Sequence, residues 1–274
     1  MASDRRDNPE HRGRVTVSEC PVHRGEQCAP RHRVTIWPVD GGRVKDRCTC
    51  TCGRRFPVTA DGAAEHLVDP IDPGGAVEVP PGRGATWTMA ADLPPDAGSP
   101  IASPGVVPVE TPVLHVATEP VGAVTREIKA LVKHMVRVMH RAPGVGLAAN
   151  QVGVGLRLFV QVHKGAAPEA MVDPEIRASD GTWTYTEGCL SLVLDDAHAP
   201  VDRPRRVQVR ARTVHGEVVE VTADGILARI LQHEIDHLDG IEYVQRLVGE
   251  HHDRVYGLMA DAGLDVDCVP PTPY

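Results

Sequence analysis

The chain has 274 residues, a formal charge of −8, 42% hydrophobic residues, and only three Trp, four Tyr and two Phe, so its core must be mostly aliphatic. The acidic balance argues against general nucleic-acid affinity, and no specific DNA binding is expected. No run of 18 apolar residues exists, which leaves no membrane span. Met1–Asn8 lacks the apolar core of a signal peptide, so the expected location is the cytoplasm, with the seven cysteines reduced.

In chain order, residues 1–14 are charged and poor in apolar side chains, the composition of a disordered start. Residues 15–60 read as a small Cys-rich β module. Cys20-x-x-His23 and Cys28 precede the segment Arg33–Val39, Asp40-Gly41-Gly42 reads as a hairpin turn, and the return strand reaches Cys48, Cys50 and Cys52. Five cysteines and His23 within residues 20–52 are the donors for an additional structural zinc, which would staple a segment too short to bury its own core. The C-x-C-x-C spacing fits this poorly, and ordinary reduced thiols on a hairpin are the alternative. Residues 61–105 are rich in Pro and Gly and read as a linker, with a weak strand at Ala76–Val79.

The texture changes near Val106. Thr125–His140 predicts an amphipathic helix with Ile128, Leu131, Val132, Met135, Val138 and Met139 on its apolar side. Pro143 and Gly144 end it. A Gly-rich stretch, Gly144–Gly153, leads to strands at Leu156–Val162, Met171–Ile176 and Trp183–Thr186. Glu187-Gly188-Cys189-Leu190-Ser191 follows. Arg206–Arg212 and Val218–Val221 alternate around His215-Gly216, which predicts a hairpin. A further strand is expected at Ile241–Leu247, a short helix at Asp253–Ala260, and a flexible tail over 261–274.

His233-Glu234-Ile235-Asp236-His237 lies in a helix-like run that Asp224 can cap and Gly240 can end. Ile226, Ile230, His233 and His237 fall on one stripe. Two imidazoles one turn apart can bind one metal ion, and Glu234 is then placed to handle protons beside it. A catalytic metal usually takes a third protein ligand. Glu242, Glu250, His251 and His252 stand downstream, and Cys189 stands upstream. A thiolate ligand would widen the choice of metal to Fe(II), Zn, Co or Ni.

Gly144–Gln151, Glu187–Ser191 and His233–His237 together resemble the three motifs of the peptide deformylases, in the same order. Thr111–Leu114, Asp173–Ile176 and Arg203-Pro204 are similar to lesser features of that family. The likeness spans about 106–247, and none of it falls on residues 1–100.

The resemblance implies an α+β fold with mixed or antiparallel sheets around a central metal-binding helix in a catalytic domain over 106–260, beside the small Cys-rich N-terminal extension. It implies removal of the formyl group from N-formylmethionyl peptides of nascent chains, with release of formate. Its metal ligands fall on Cys189, His233 and His237, with Fe(II) the leading metal. Its acid/base falls on Glu234, its oxyanion donors on Gln151 and the Leu190 N–H, and its substrate loop on Gly144 and Gly146. The ribosome is a candidate partner, although the basic C-terminal helix of some members is not evident. Glu187 reads as a structural partner of Arg203. Val193–His198 departs from the family pattern and puts side-chain preference in question. A metalloprotease and a non-catalytic binder of formyl-peptides are the rival readings.

Overall fold

The structure, a computed structural model, describes residues 30–37, 45–50, 55–57, 101–163 and 167–269, with side chains for the last two ranges. The expected disordered start, the linker up to residue 100, the positions of Cys20, His23, Cys28 and Cys52, and the end of the tail lie outside these residues. Among the described helices none is long and apolar enough to cross a membrane.

Three short strands come first: β1 (Pro30–Trp37), β2 (Lys45–Cys50) and β3 (Arg55–Pro57). β1 and β2 are the expected hairpin. Helix α1 (Arg126–Arg141) follows a 3₁₀ turn at Pro112–His115. Thr125 caps α1 by accepting the Ile128 N–H at 3.5 Å. Ile128, Leu131, Met135, Val138 and Met139 face inward at helical spacing. Pro143 cannot continue the ladder, and the Gly144 N–H turns back to the Met139 carbonyl at 2.9 Å.

Strands β4 (Gly146–Ala148), β5 (Leu158–Gln161) and β6 (Glu169–Asp180) pair antiparallel in sequence, with a 3₁₀ turn at Ala149–Val152 between the first two. β7 (Trp183–Glu187) and β8 (Ala199–Arg203) form a separate antiparallel pair. β9 (Arg206–Arg212) and β10 (Val218–Asp224) form a hairpin whose turn places Gly216 at φ 82, where glycine meets no Cβ penalty. The described strands assemble into one eight-stranded sheet, β3-β2-β1-β10-β9-β6-β5-β4, and the β7-β8 pair. With its helices this is an α+β architecture.

Helix α2 (Gly225–Leu238) starts directly after β10. Val207, Val209, Ala211, Val219, Val221 and Ala223 point from the hairpin into one cluster with Leu227, Ala228, Leu231, Ile235 and Leu238 of α2. Burying each of the larger side chains stabilises the fold by about 1.5–3 kcal/mol. Asp224 occupies the cap position, but its carboxylate is held by Arg205 and Arg206 and makes no cap bond. Gly240 ends the helix at φ 77, with the backbone of His115 and Val116 where a Cβ would stand.

Two expectations change here. Ile241–Leu247 is no strand: Tyr243–Arg246 forms a 3₁₀ turn, because Glu242 is pulled inward and its N–H is capped by Gln245 Oε1 at 2.7 Å. The last helix, α3 (Gly249–Asp261), is longer than expected and anchors Val255 and Met259 in a third cluster around Tyr243.

The N-terminal strands extend the main sheet. β1 pairs with β10 from Arg33↔Thr222 to Trp37↔Val218. The strand that feeds the central helix is thereby covered on both sides, by β1 and β9.

Candidate metal centre

Four segments meet around the last two turns of α2. The helix presents His233, Glu234 and His237, the loop after β7 brings Cys189, β4 brings Gly146, and the following 3₁₀ turn brings Gln151. One ligand atom each from Cys189, His233 and His237 lies within 4.8 Å of the others, and they are the three-residue donor group found among the described residues. The imidazoles meet edge to face, 4.9 Å between centroids and 82° between planes. Cys189 Sγ stands 3.2 Å from His237 Nε2. Of the candidate third ligands, Cys189 therefore joins the histidines, and Glu250, His251 and His252 do not.

Both imidazoles are oriented from behind. His233 Nδ1 meets Glu187 Oε2 at 3.0 Å, and His237 Nδ1 meets Glu242 Oε1 at 3.1 Å. Each Nε2 is left to point at the thiol, the arrangement of ligating histidines held by second carboxylates. Glu242, weighed above as a third ligand, is instead such an orienting group.

Glu187 is gripped further. Arg203 forks onto it at 2.7 and 3.0 Å, and Arg229 adds a bond at 2.7 Å. Arg203 also reaches Asp236 at 2.5 Å, and Arg246 holds the other face of Asp236 at 2.5 and 2.6 Å. Glu187, Arg203 and Arg229 are nearly inaccessible, so each charge depends on the others for compensation. The expected Glu187–Arg203 pair is present and belongs to this larger network.

Electrostatics mark a cation site. Burial pushes the Cys189 thiol up, but the charge of His237 and hydrogen bonds with both imidazoles bring it below its ordinary value. Burial would lower His233, yet hydrogen bonds with Cys189 and Glu187 lift it to about 10. Burial opposes His237 too, and Glu242 with Cys189 still raises it. Burial pushes the Glu187 carboxyl up, and bonds from His233 and Arg203 outweigh it and hold the group well below the usual range. The thiolate and the carboxylates behind the rings favour positive charge between them, and the thiolate is the form of cysteine that ligates metal.

Glu234 is different in kind. It is 4% exposed, and burial raises its carboxyl, with the imidazoles opposing. Its Oε2 is buried with no hydrogen-bond partner, an orphaned acceptor that fits a site built to hold a metal and a polar reactant. Its Oε1 lies against Gly146, where an added Cβ would stand 2.1 Å away. Gly146 is therefore glycine because the carboxylate occupies the space a side chain would need.

Gln151 is fixed by its own loop, since its Oε1 accepts the Ala148 N–H at 2.9 Å. That aims Nε2 into the site, 3.4 Å from Cys189 Sγ and 3.2 Å from Ser191 Oγ. The Ser191 N–H also donates to Cys189 Sγ at 3.4 Å. Leu190, between them, packs on Gly144, where a Cβ would meet its Cδ1 at 2.7 Å. The structure thus gathers every residue singled out for the site: Gly144, Gly146, Gln151, Cys189, Leu190, His233, Glu234 and His237.

The Val193–His198 segment forms a turn with Asp196 at φ 62. Arg254 of α3 donates to the carbonyls of Asp196 and His198, and the Tyr243 hydroxyl donates to that of Ala197. The His198 ring covers Gly188, where a Cβ would fall 2.4 Å from the imidazole.

Comparison with known proteins agrees on one family. The family model described as Polypeptide deformylase matches residues 104–253. The peptide deformylase of Aquifex aeolicus is 42% identical over 142 residues, covering 50% of this chain and 83% of that protein. That of Treponema pallidum is 44% identical over 143 residues, covering 52% and 86%. Among solved structures, a peptide deformylase from Synechococcus elongatus in complex with actinonin aligns with a TM-score of 0.57 at 30% identity, over 64% of this chain and 95% of that one. One from Thermus thermophilus aligns at 0.54 and 34% identity, over 57% and 93%.

Proposed function

Because the chain belongs to the polypeptide deformylase family, we propose that Cys189, His233 and His237 hold its metal ion and that Glu234, Gln151 and Leu190 carry the reaction. The protein is a metal-dependent hydrolase that removes the N-formyl group from nascent peptides and releases formate. Held by Cys189, His233 and His237, a divalent cation would act as a Lewis acid and make water acidic enough to react at neutral pH.

The protein's own groups do the rest. Glu234, buried and with a raised carboxyl, takes a proton from the attacking water and returns it to the leaving amine. Gln151 Nε2 and the Leu190 N–H donate to the oxygen that gains charge as the carbonyl becomes tetrahedral. Gly144 and Gly146 let the peptide backbone pass close to the site. The observation that carries this reading is the unpartnered, buried Oε2 of Glu234 beside three convergent metal donors.

Several finer assignments go with it. A thiolate with two imidazoles suits Fe(II), and Zn, Ni and Co are accepted by the same donors. The substrates are formylmethionyl peptides on nascent chains, the ribosome is the partner that presents them, and the location is the cytoplasm. The catalytic domain runs over 106–260. Residues 15–60 are its small Cys-rich extension, and the donors within residues 20–52 hold a separate structural zinc.

The test is metal analysis with formate release from formyl-Met-Ala-Ser, using protein purified without oxygen. One metal per catalytic site and rapid formate release are expected, and a second equivalent of zinc reports the extension. Saturable peptide binding without formate, in the metal-loaded protein, would establish the non-catalytic binder instead.

A further inference from the structure

Helix α1 carries a row of cations that the chemistry above does not use. Arg126, Lys129, Lys133, Arg137 and Arg141 recur at i, i+3, i+7, i+11 and i+15, and all five are exposed. They form one stripe about 22 Å long at 1.5 Å per residue. The helix has a single acid, Glu127, which engages Thr125. Among the described residues none of the five has an ion-pair partner. Elsewhere several arginines are matched: Arg157 by Asp239, Arg177 by Glu175, Arg206 by Asp180, and Arg212 by Asp173.

The stripe works against its own helix. Lys129, Lys133, Arg137 and Arg141 are like charges four residues apart, which destabilises a helix. The helix dipole welcomes Arg141 at the C-terminus, but it disfavours Arg126 and Lys129 near the N-terminus. The field reaches the neighbouring His134: burial depresses this imidazole first, and Arg137 and Arg141 depress it further.

We propose that the solvent face of α1 docks on the phosphate backbone of structured RNA, the polyanion from which nascent chains are presented. The proposal rests on the deformylase reading and adds the surface by which the enzyme meets its substrate's carrier. Three observations favour it. The stripe ends at Arg141, three residues before Gly144, so a docked polyanion lies beside the substrate loop. The chain as a whole is at −8, so the row of cations orients the approach while the remaining surface is repelled. No large apolar side chain is exposed on this face, and the apolar side of α1 is committed to the core, unlike a helix that enters a lipid surface.

The experiment compares the full chain with K129E/K133E/R137E and with the milder K129Q/K133Q/R137Q. Binding to a fluorescent RNA duplex is read by anisotropy between about 50 and 200 mM salt, and formate release from free formyl-Met-Ala-Ser is read alongside. Wild type should bind at low salt and weaken by up to a few hundredfold across that range, about 0.9 in logarithmic slope per phosphate contact. Charge reversal should weaken binding at least about tenfold, with the Gln variant between, since each lost phosphate contact also flattens the salt slope. Turnover of the free peptide should stay unchanged in both. Absence of wild-type RNA binding at low salt, or equal binding by the variants, overturns the proposal. So does binding to phosphatidylserine vesicles without binding to RNA, which makes the stripe a membrane-surface contact. Stripe-dependent RNA binding in a wild type that releases no formate would sink the enzymatic reading and leave the surface standing.

Discussion

The Cα of Gly146 lies so close to Glu234 that a methyl group there would come within 2.1 Å of Oε1. The contact ties β4 to the proposed acid/base and makes a small substitution informative. Gly146→Ala should push the carboxylate aside without touching a metal donor. Metal content should hold, and kcat should fall by about 10²-fold, the order of cost for displacing a catalytic group by an ångström. Loss of metal in this variant would mean that the loop shapes the donor set rather than the carboxylate.

Glu242 stands behind His237 at 3.1 Å. Glu242→Gln should weaken metal binding by about 10–100-fold, the usual cost of removing such an orienting carboxylate. Competition with a chelator measures it. Unchanged affinity would show that packing alone fixes the His237 ring.

Glu187 compensates two buried guanidinium groups, Arg203 and Arg229, and orients His233. Glu187→Ala leaves buried Arg229 without a carboxylate and Arg203 with Asp236 alone, and should cost about 3–5 kcal/mol of stability. Urea unfolding of wild type and variant measures the difference. A loss under about 1 kcal/mol, the range of an exposed pair, would mean that water reaches the network.

Much of this site was legible in the residues. H-E-x-x-H at helical spacing pointed to two candidate donors and a candidate acid, and the resemblance at E-G-C-L-S singled out Cys189, which the structure brings beside them. The orienting groups were harder. Glu242 lies five residues past His237 in a segment read as a short strand, and that segment is instead a 3₁₀ turn with Glu242 held against His237. Arg229 and Asp236 look like the polar face of α2, and their burial follows from β7 and β8 packing across that face. The pairing of β1 with β10 was also hidden, because β-strand partners far apart in sequence leave no local signal.

That pairing supplies the next prediction. A chain beginning at Ile101 keeps every residue placed in the site but uncovers the edge of β10. Its turnover on small formyl-peptides should stay within about tenfold of wild type, roughly 1.4 kcal/mol of transition-state stabilisation. Its Tm should fall and its tendency to self-associate should rise, since an open strand edge templates pairing. A larger loss of turnover would place the extension in the active site.

Glu234→Gln tests the central claim most directly. The substitution keeps the size of the side chain and removes the base, and Glu234 is not one of the three metal donors. Metal content, formyl-peptide binding and formate release are measured on the same preparation. Retained metal and binding with kcat reduced by about 10²–10⁴-fold are expected for a lost general acid/base. Unchanged kcat with the metal in place would contradict the account and remove Glu234 from the reaction.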